Sequence, residues 1–148
     1  MAPDPTRIAA LGDELVRIHD SLRADVHRLR TGAAEAGRPL ATHCLAFCAA
    51  MTRHHTGEET GAFPALAARF PDLQPLLDKM AEDHVLIAGI VARVDEIARE
   101  LADDSSPRLT AELDGLSAIM ESHFAFEERR IRHALDALDG SAAEVLGA

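Results

Sequence analysis

Two short stretches of the sequence, HHTGEE and SHFAFEE, each place a histidine four residues before a glutamate. Residues i and i+4 lie one turn apart on the same face of an α-helix, so helices would pair His54 with Glu58 and His123 with Glu127. Each pair falls in register with an apolar stripe, which predicts that all four side chains face inward. The stripes are Leu40, Cys44, Phe47, Met51 and Ala65 around the first pair, and Leu109, Leu113, Leu116, Met120, Ile131, Ala134 and Leu138 around the second.

Inward-facing glutamates need a positive partner, because a glutamate is rarely buried unless its charge is paired or bound to a cation. A buried arginine could supply that charge, but Arg53 and Arg130 would have to cross the edge of the fold to reach these positions. Imidazole and carboxylate are both common metal ligands. The pattern therefore favours a metal site over a buried salt bridge.

Four amphipathic helices are predicted along the chain, separated by short segments rich in helix breakers. Asp4 and Ser106 are the predicted N-caps of the first and fourth helices, and Pro64 is expected to end or kink the second. Gly37 belongs to the break after the first helix. The first two predicted helices span residues 5 to about 36 and 39 to about 64. A turn at residues 68–75 follows, and the third helix then runs to about residue 101. The fourth helix spans residues 107 to about 138.

Amphipathic helices joined by short loops predict an all-α fold, an antiparallel up-down-up-down four-helix bundle in which facing helices build metal sites. Aromatic residues make up only 3% of the chain, which favours helices over a sheet. A length of 148 residues is that of one domain, so we expect a single domain over residues 1–148. Its core is expected at about 5–139, followed by a frayed C-terminal tail.

Two further histidines, His19 and His84, lie at inward positions of the first and third helices. Each half of the chain then carries one inward histidine and, on the next helix, a histidine four residues before a glutamate. This order forms a weak internal repeat. A lone core histidine is more often structural than a ligand, but four of them beside two glutamates favour the metal site. Each helix contributes one inward histidine at the same level of the bundle.

Several residues close to the proposed ligands have spacings that do not by themselves indicate metal binding. His55, Glu59 and Glu128 each follow a proposed ligand by one position and so point about 100° away from it. They are interpreted as solvated helix face, and the alternative is that they orient the ligating imidazoles. Cys44 and Cys48 lie four apart on one helix, a poor geometry for a disulfide, and are interpreted as reduced packing residues.

The net charge of −10 argues against binding to nucleic acid or to an anionic membrane, because either partner requires a basic surface. The chain begins without the basic and apolar regions of a signal peptide and contains no apolar run long enough to cross a membrane. A cytoplasmic location is therefore expected. The sequence gives no indication of a protein partner.

With these residues in view, the chain resembles the hemerythrin-like, or HHE cation-binding, domain family over nearly its whole length. The resemblance is carried by His19, His54, Glu58, His84, His123 and Glu127, in the contexts IHDSLR, HHTGEETGAFPAL, EDH and SHFAFEERR. It implies a hemerythrin-like four-helix domain with two non-haem iron ions, joined by an oxo or hydroxo group. The resemblance further implies that the two glutamates bridge the irons and the four histidines cap them. The spacing leaves zinc and manganese open as alternatives.

The sequence departs from the oxygen-carrying hemerythrins, which have an extra histidine one turn from the helix-3 ligand. Met80 and Ala88 occupy the two corresponding places here. Unless Asp83, His43 or Glu59 fills that position, the metal pair is expected to be open to dioxygen, peroxide or nitric oxide. The resemblance then implies an oxidoreductase without catalytic residues beyond the metal ligands. An oxygen or iron sensor, or a carrier without turnover, is the alternative, and a metal-free helical bundle is a third.

Overall fold

The computed structural model describes residues 10–32, 39–101 and 106–147, and these ranges are helical almost throughout, with no β-strand within them. The predicted all-helical class is thus confirmed. A π-helical turn, Glu58–Ala62, joins the helices Leu40–Gly57 and Phe63–Arg69, and a 3-10 turn, Pro71–Leu73, precedes the helix Gln74–Glu100. The α-helices are α1 (Ala10–Thr31), α2 (Leu40–Gly57), α3 (Phe63–Arg69), α4 (Gln74–Glu100), α5 (Pro107–Leu135) and α6 (Ala142–Leu146).

Local sequence signals account for several of the helix ends. The hydroxyl of Ser106 accepts a hydrogen bond of 3.2 Å from the backbone N–H of Leu109, so the predicted cap of α5 is present. Gly32 follows α1 with a φ of 71°, a backbone conformation that glycine adopts without strain. The predicted start of the first helix at residue 5, its Asp4 cap and the breaker Gly37 lie outside the described residues.

The second predicted helix is not broken at Pro64. The chain stays helical from α2 through the π turn into α3, and Pro64 lies in the first turn of α3, where a missing N–H costs little. A π turn inserts one extra residue into a helix and so shifts the inward face. The predicted inward position Ala65 is consequently only half-buried, while Ala62 and Leu66 are buried.

The apolar interior has two clusters, and a polar layer lies between them. On α1, Leu15 belongs to one cluster and Leu22 to the other, with His19 between them. The same order holds on α4, where Met80 and Ile87 flank His84. Histidines from all four long helices thus meet two glutamates at one level inside the protein, with apolar packing above and below.

The long helices α1 and α4 each pack against both α2 and α5, and α6 packs against α1, α2 and the π turn. The C-terminal segment differs from the expected frayed tail, because Val145 and Leu146 are buried. Glycines allow this close packing. A Cβ atom at Gly57 would overlap the backbone of Gly147, and one at Gly61 would lie 2.6 Å from the carbonyl oxygen of Glu144.

Neither cysteine forms a disulfide bond, and both are buried among apolar side chains, in agreement with their interpretation as packing residues. Burial raises the pKa of the Cys48 thiol to about 12. None of the described helices combines the length and the apolar character needed to cross a lipid bilayer.

Candidate metal centre

The polar layer consists of buried histidines and glutamates from every long helix. The structure brings all six residues of the predicted ligand set together and adds His55, which the helical spacing directs away from them. The buried polar residues are His19 on α1, His54 and His55 on α2, Glu58 at the start of the π turn, His84 on α4, and His123 and Glu127 on α5.

These side chains form two overlapping groups, and within each group one ligand atom per residue lies within 4.8 Å of the others. Glu58 belongs to both groups. The α1 group consists of His19, His54, Glu58 and Glu127, and the α4 group consists of His55, Glu58, His84 and His123.

The Nε2 atoms of the four predicted histidine ligands point toward the centre of the layer. Nε2 of His19 lies 3.1 Å from Nε2 of His54 and 3.2 Å from Oε1 of Glu127. Nε2 of His123 lies 2.9 Å from the other oxygen of Glu127, and Nε2 of His84 lies 3.4 Å from that oxygen. Glu127 therefore turns one carboxylate oxygen toward His19 and the other toward the histidines of the α4 group.

The Nδ1 atoms of the same four histidines point outward, and each meets an acceptor. A carboxylate or carbonyl oxygen only accepts hydrogen bonds, so each Nδ1 must carry the proton, which leaves the Nε2 lone pair facing inward. The acceptors are Glu128 for His19 at 2.8 Å, the Leu146 carbonyl for His54 at 3.3 Å, Glu59 for His84 at 3.1 Å, and Asp83 for His123 at 3.2 Å.

Two outer carboxylates correct an interpretation from the sequence. Glu59 and Glu128 were expected on the solvated helix face, but both contact imidazoles, as the alternative interpretation proposed. Arg23 in turn donates a hydrogen bond of 2.7 Å to Glu128, and Lys79 donates one of 3.0 Å to Asp83. These cations favour the ionised forms of Glu128 and Asp83, which supports the role of both carboxylates as acceptors.

Several buried polar atoms of the layer have no hydrogen-bond partner within the described residues. They are both carboxylate oxygens of Glu58, Oε1 of Glu127, and Nε2 of His55 and His123. Each buried atom of this kind costs about 1–3 kcal/mol when it is left unsatisfied. Converging lone pairs and unpartnered carboxylate oxygens are the environment that a bound cation satisfies, so the donor set fits metal ions.

The same burial sets the protonation of the layer. Burial, together with the negative charge of Glu127, raises the pKa of Glu58 well above its usual value. Burial alone would raise the pKa of Glu127, but its close contacts with the neighbouring histidines, His123 above all, lower it well below that value. Burial lowers the pKa of His54 to about 3 and that of His55 to about 2. Both imidazoles are therefore neutral, the form that binds metals.

A cavity of about 180 Å³ lies beside the α4 group, between α2 and α4. His55, Glu59 and His84 form its polar wall, and Met51 and Ile87 contribute apolar surface. A wider groove of about 790 Å³ between the same two helices shares several lining residues with it, including Thr56 and Ala88. The centre is thus approached from the side of α2 and α4.

The sequence did not indicate His55 as part of the centre. A regular helix turns its side chain about 100° from that of His54. Both histidines nevertheless lie near Glu58, which follows His54 by four residues and His55 by three. The sequence contains only a weak indication that this segment departs from a regular helix. The two adjacent histidines are followed by Gly57, Gly61 and Pro64, residues that disturb a regular helix.

Residues 11–135 match the family model described as Hemerythrin HHE cation binding domain, and that range contains every residue of both metal groups. No curated protein and no solved structure matches the chain significantly.

Proposed function

This chain belongs to the hemerythrin HHE cation-binding domain family, and we propose that its buried centre binds two iron ions that handle a small molecule such as dioxygen, peroxide or nitric oxide. The observation that carries the proposal is the pair of ligand groups that share Glu58. Iron bound there would supply the redox chemistry for binding or consuming such a molecule. Zinc and manganese are the alternative metals for the same ligand types.

The orientation of the carboxylates supports a metal pair rather than a single ion. Glu127 presents one oxygen to each group, and Glu58 belongs to both groups with neither oxygen hydrogen-bonded within the described residues. These are the positions expected of two bridging glutamates. His19 and His54 would then bind one metal ion, and His84 and His123 the other.

The surrounding residues would hold the ligands in place. Each outward Nδ1 hydrogen bond prevents its imidazole from rotating and keeps the Nε2 lone pair directed at the metal position. Phe124 stacks on the ring of His19 with the ring centroids 3.8 Å apart and shields that side from water. These residues position ligands and exclude solvent, and no protein nucleophile is needed.

We also propose that the four long helices form an antiparallel up-down-up-down bundle within one domain spanning the chain. The contacts between α1 and α5 support this arrangement. As the residue number increases along α1, the residue number of its partner on α5 decreases, as it does between antiparallel helices. The pairs are Asp13 with Arg132, Arg23 with Glu121, and Arg30 with Asp114. Between α4 and the segment made of α2 and its π turn, Cys48 contacts Val91, whereas the later residue Glu59 contacts the earlier residue His84.

The size of the cavity favours a very small substrate. Pockets for drug-sized ligands occupy about 300–1,000 Å³, whereas the cavity beside His55 and His84 holds about 180 Å³. Met51 and Ile87 give it a partly apolar wall, which suits an uncharged diatomic gas or peroxide. We therefore propose that such molecules reach the centre between α2 and α4.

Ligand binding to the iron-loaded protein tests the proposal. Protein reconstituted anaerobically with Fe(II) should change its optical spectrum on addition of nitric oxide, hydrogen peroxide or air, and Glu58→Ala protein treated identically should not. Repeated consumption of peroxide or dioxygen would identify an oxidoreductase, and reversible binding without consumption would identify a carrier or sensor. A fully iron-loaded wild type with an unresponsive spectrum would contradict the proposed small-molecule chemistry.

A further inference from the structure

His55 is the member of the centre to which neither the family resemblance nor the helical spacing assigns a role. Its side chain is only 7% exposed, and its Nε2 atom has no hydrogen-bond partner within the described residues. Such an orphaned atom is destabilising, so buried ring nitrogens are normally satisfied. A ring nitrogen of His55 lies within 4.8 Å of ligand atoms of Glu58, His84 and His123.

The local backbone explains how two adjacent histidines face one centre. Glu58 lies four residues after His54 and three after His55, and both separations bring side chains together on a helix surface. The π turn begins at Glu58, and such turns occur frequently at functional sites. Glu58 therefore lies between the two histidines, with two carboxylate oxygens that accept no hydrogen bond from a described residue.

The three imidazole rings of the α4 group lie in contact with one another. His55 stacks on His84, with ring centroids 3.8 Å apart and planes 9° apart. His123 stands nearly perpendicular to both rings, at 84° to His55 and 75° to His84. The α1 group, by comparison, contains two imidazoles and two carboxylates.

We propose that His55 is a fifth imidazole ligand, which binds the metal ion of the α4 group together with Glu58, His84 and His123. This inference rests on the proposed function, because it requires that the centre binds metal. It makes the two metal positions unequal, with three imidazoles at one and two at the other. His55 then supplies the imidazole that Met80 and Ala88 on α4 do not.

A count of metal-bound histidines in the wild-type protein tests the inference directly. Protein labelled with ¹⁵N-histidine and loaded with Zn(II), which is diamagnetic, shows by NMR which ring nitrogens are bound to metal. Of the eight histidines in the chain, we expect five to be bound, with the exposed His27 and His133 among the others. Four bound histidines with His55 unbound would overturn the inference alone. No bound histidine would contradict the proposed metal centre as well.

A substitution that keeps the ring stack gives an independent test. His55→Phe preserves an aromatic ring against His84 but has no ligand nitrogen, and His133→Ala removes an exposed histidine as the matched control. In competition with a chelator, the control should bind Zn(II) at two sites like the wild type. In His55→Phe one site should weaken by more than the roughly 10–100-fold that loss of a ligand's hydrogen-bond partner costs.

The alternative is that His55 only packs against His84. Two-site Zn(II) binding with unchanged affinities in His55→Phe would establish that alternative and overturn the proposed ligation. Circular dichroism of the metal-free proteins checks that the variants fold, and His55→Ala replaces His55→Phe if the larger ring is not accommodated. If neither variant folds, the histidine count in the wild type decides the question.

Discussion

The two sides of the centre are enclosed differently. In the α1 group, Phe124 stacks on His19, whose outer partner Glu128 is bound by Arg23, and the carbonyl of Leu146 holds His54. The α4 group borders a cavity, and the side chain of its outer partner Glu59 is 45% exposed. The α1 side is therefore sealed by packing, whereas the α4 side borders the cavity through which we propose that small molecules reach the centre.

Loss of the shared glutamate should have the largest effect, because it removes a ligand from both groups at once. We expect Glu58→Ala to lose most of its metal at both positions, as measured by elemental analysis after desalting. Glu82→Ala, which removes an exposed carboxylate on α4, is the control and should keep the wild-type content. Full metal content in Glu58→Ala would show that Glu58 is not a ligand.

A similar loss is expected for Glu127→Ala, because the two oxygens of Glu127 face the two groups separately. The imidazoles would keep only one of the two proposed bridging carboxylates, and metal binding contributes to folding stability. We therefore expect both a lower metal content and a lower melting temperature in the presence of metal. A variant with wild-type values for both measurements would remove Glu127 from the ligand set.

The outer carboxylates provide a way to address each side separately. Glu128→Gln should weaken the metal position bound by His19, and Glu59→Gln should weaken the position bound by His84. Each loss should be about 10–100-fold in affinity, the usual cost of losing a hydrogen-bond partner of a metal ligand. Chelator competition on the two variants measures both positions. If the two substitutions lowered the metal affinity of both positions equally, the two groups would not act as separate metal positions.

The close approach of α6 gives a test of the sealed side. An added Cβ at Gly57 would overlap the backbone of Gly147, so Gly57→Ala should displace the C-terminal segment and remove the acceptor of His54. We expect a loss of about 1–3 kcal/mol in the free energy of unfolding. The control is Gly115→Ala, where a Cβ atom meets open space on α5 and should raise stability by roughly 0.5–1 kcal/mol.

The smallest expected effect concerns the open side. Ala88 lines both the cavity and the adjoining groove, so Ala88→Leu should narrow the proposed route between α2 and α4. Binding of nitric oxide to the iron-loaded protein should slow in stopped-flow measurements, while metal content stays unchanged. An unaltered association rate would place the route elsewhere.

Much of the helical organisation could be predicted from the sequence, because helix periodicity is a local property. The stripe on α5 is buried as predicted from Leu109 to Ile131, and the cap at Ser106 forms. The same periodicity selected the six residues that the structure gathers into one layer. Their spacing alone identifies a shared face, since i and i+4 positions meet on any helix.

The parts that could not be predicted depend on departures from regular geometry or on distant contacts. The π turn at Glu58–Ala62 alters the helix register after it, so the burial of Leu66 does not follow from the spacing of the residues before the turn. The hydrogen bond from His54 to the Leu146 carbonyl joins residues 92 apart in the chain. No local pattern encodes such a contact.

The central claim is that two ligand groups sharing Glu58 bind two metal ions in each chain. The most direct test is the iron-to-protein ratio after anaerobic reconstitution with Fe(II) and removal of excess metal, measured by elemental mass spectrometry against an amino-acid analysis of the same sample. The account predicts two iron ions per chain. A ratio of one or of zero, in protein that circular dichroism shows to be folded, would contradict it.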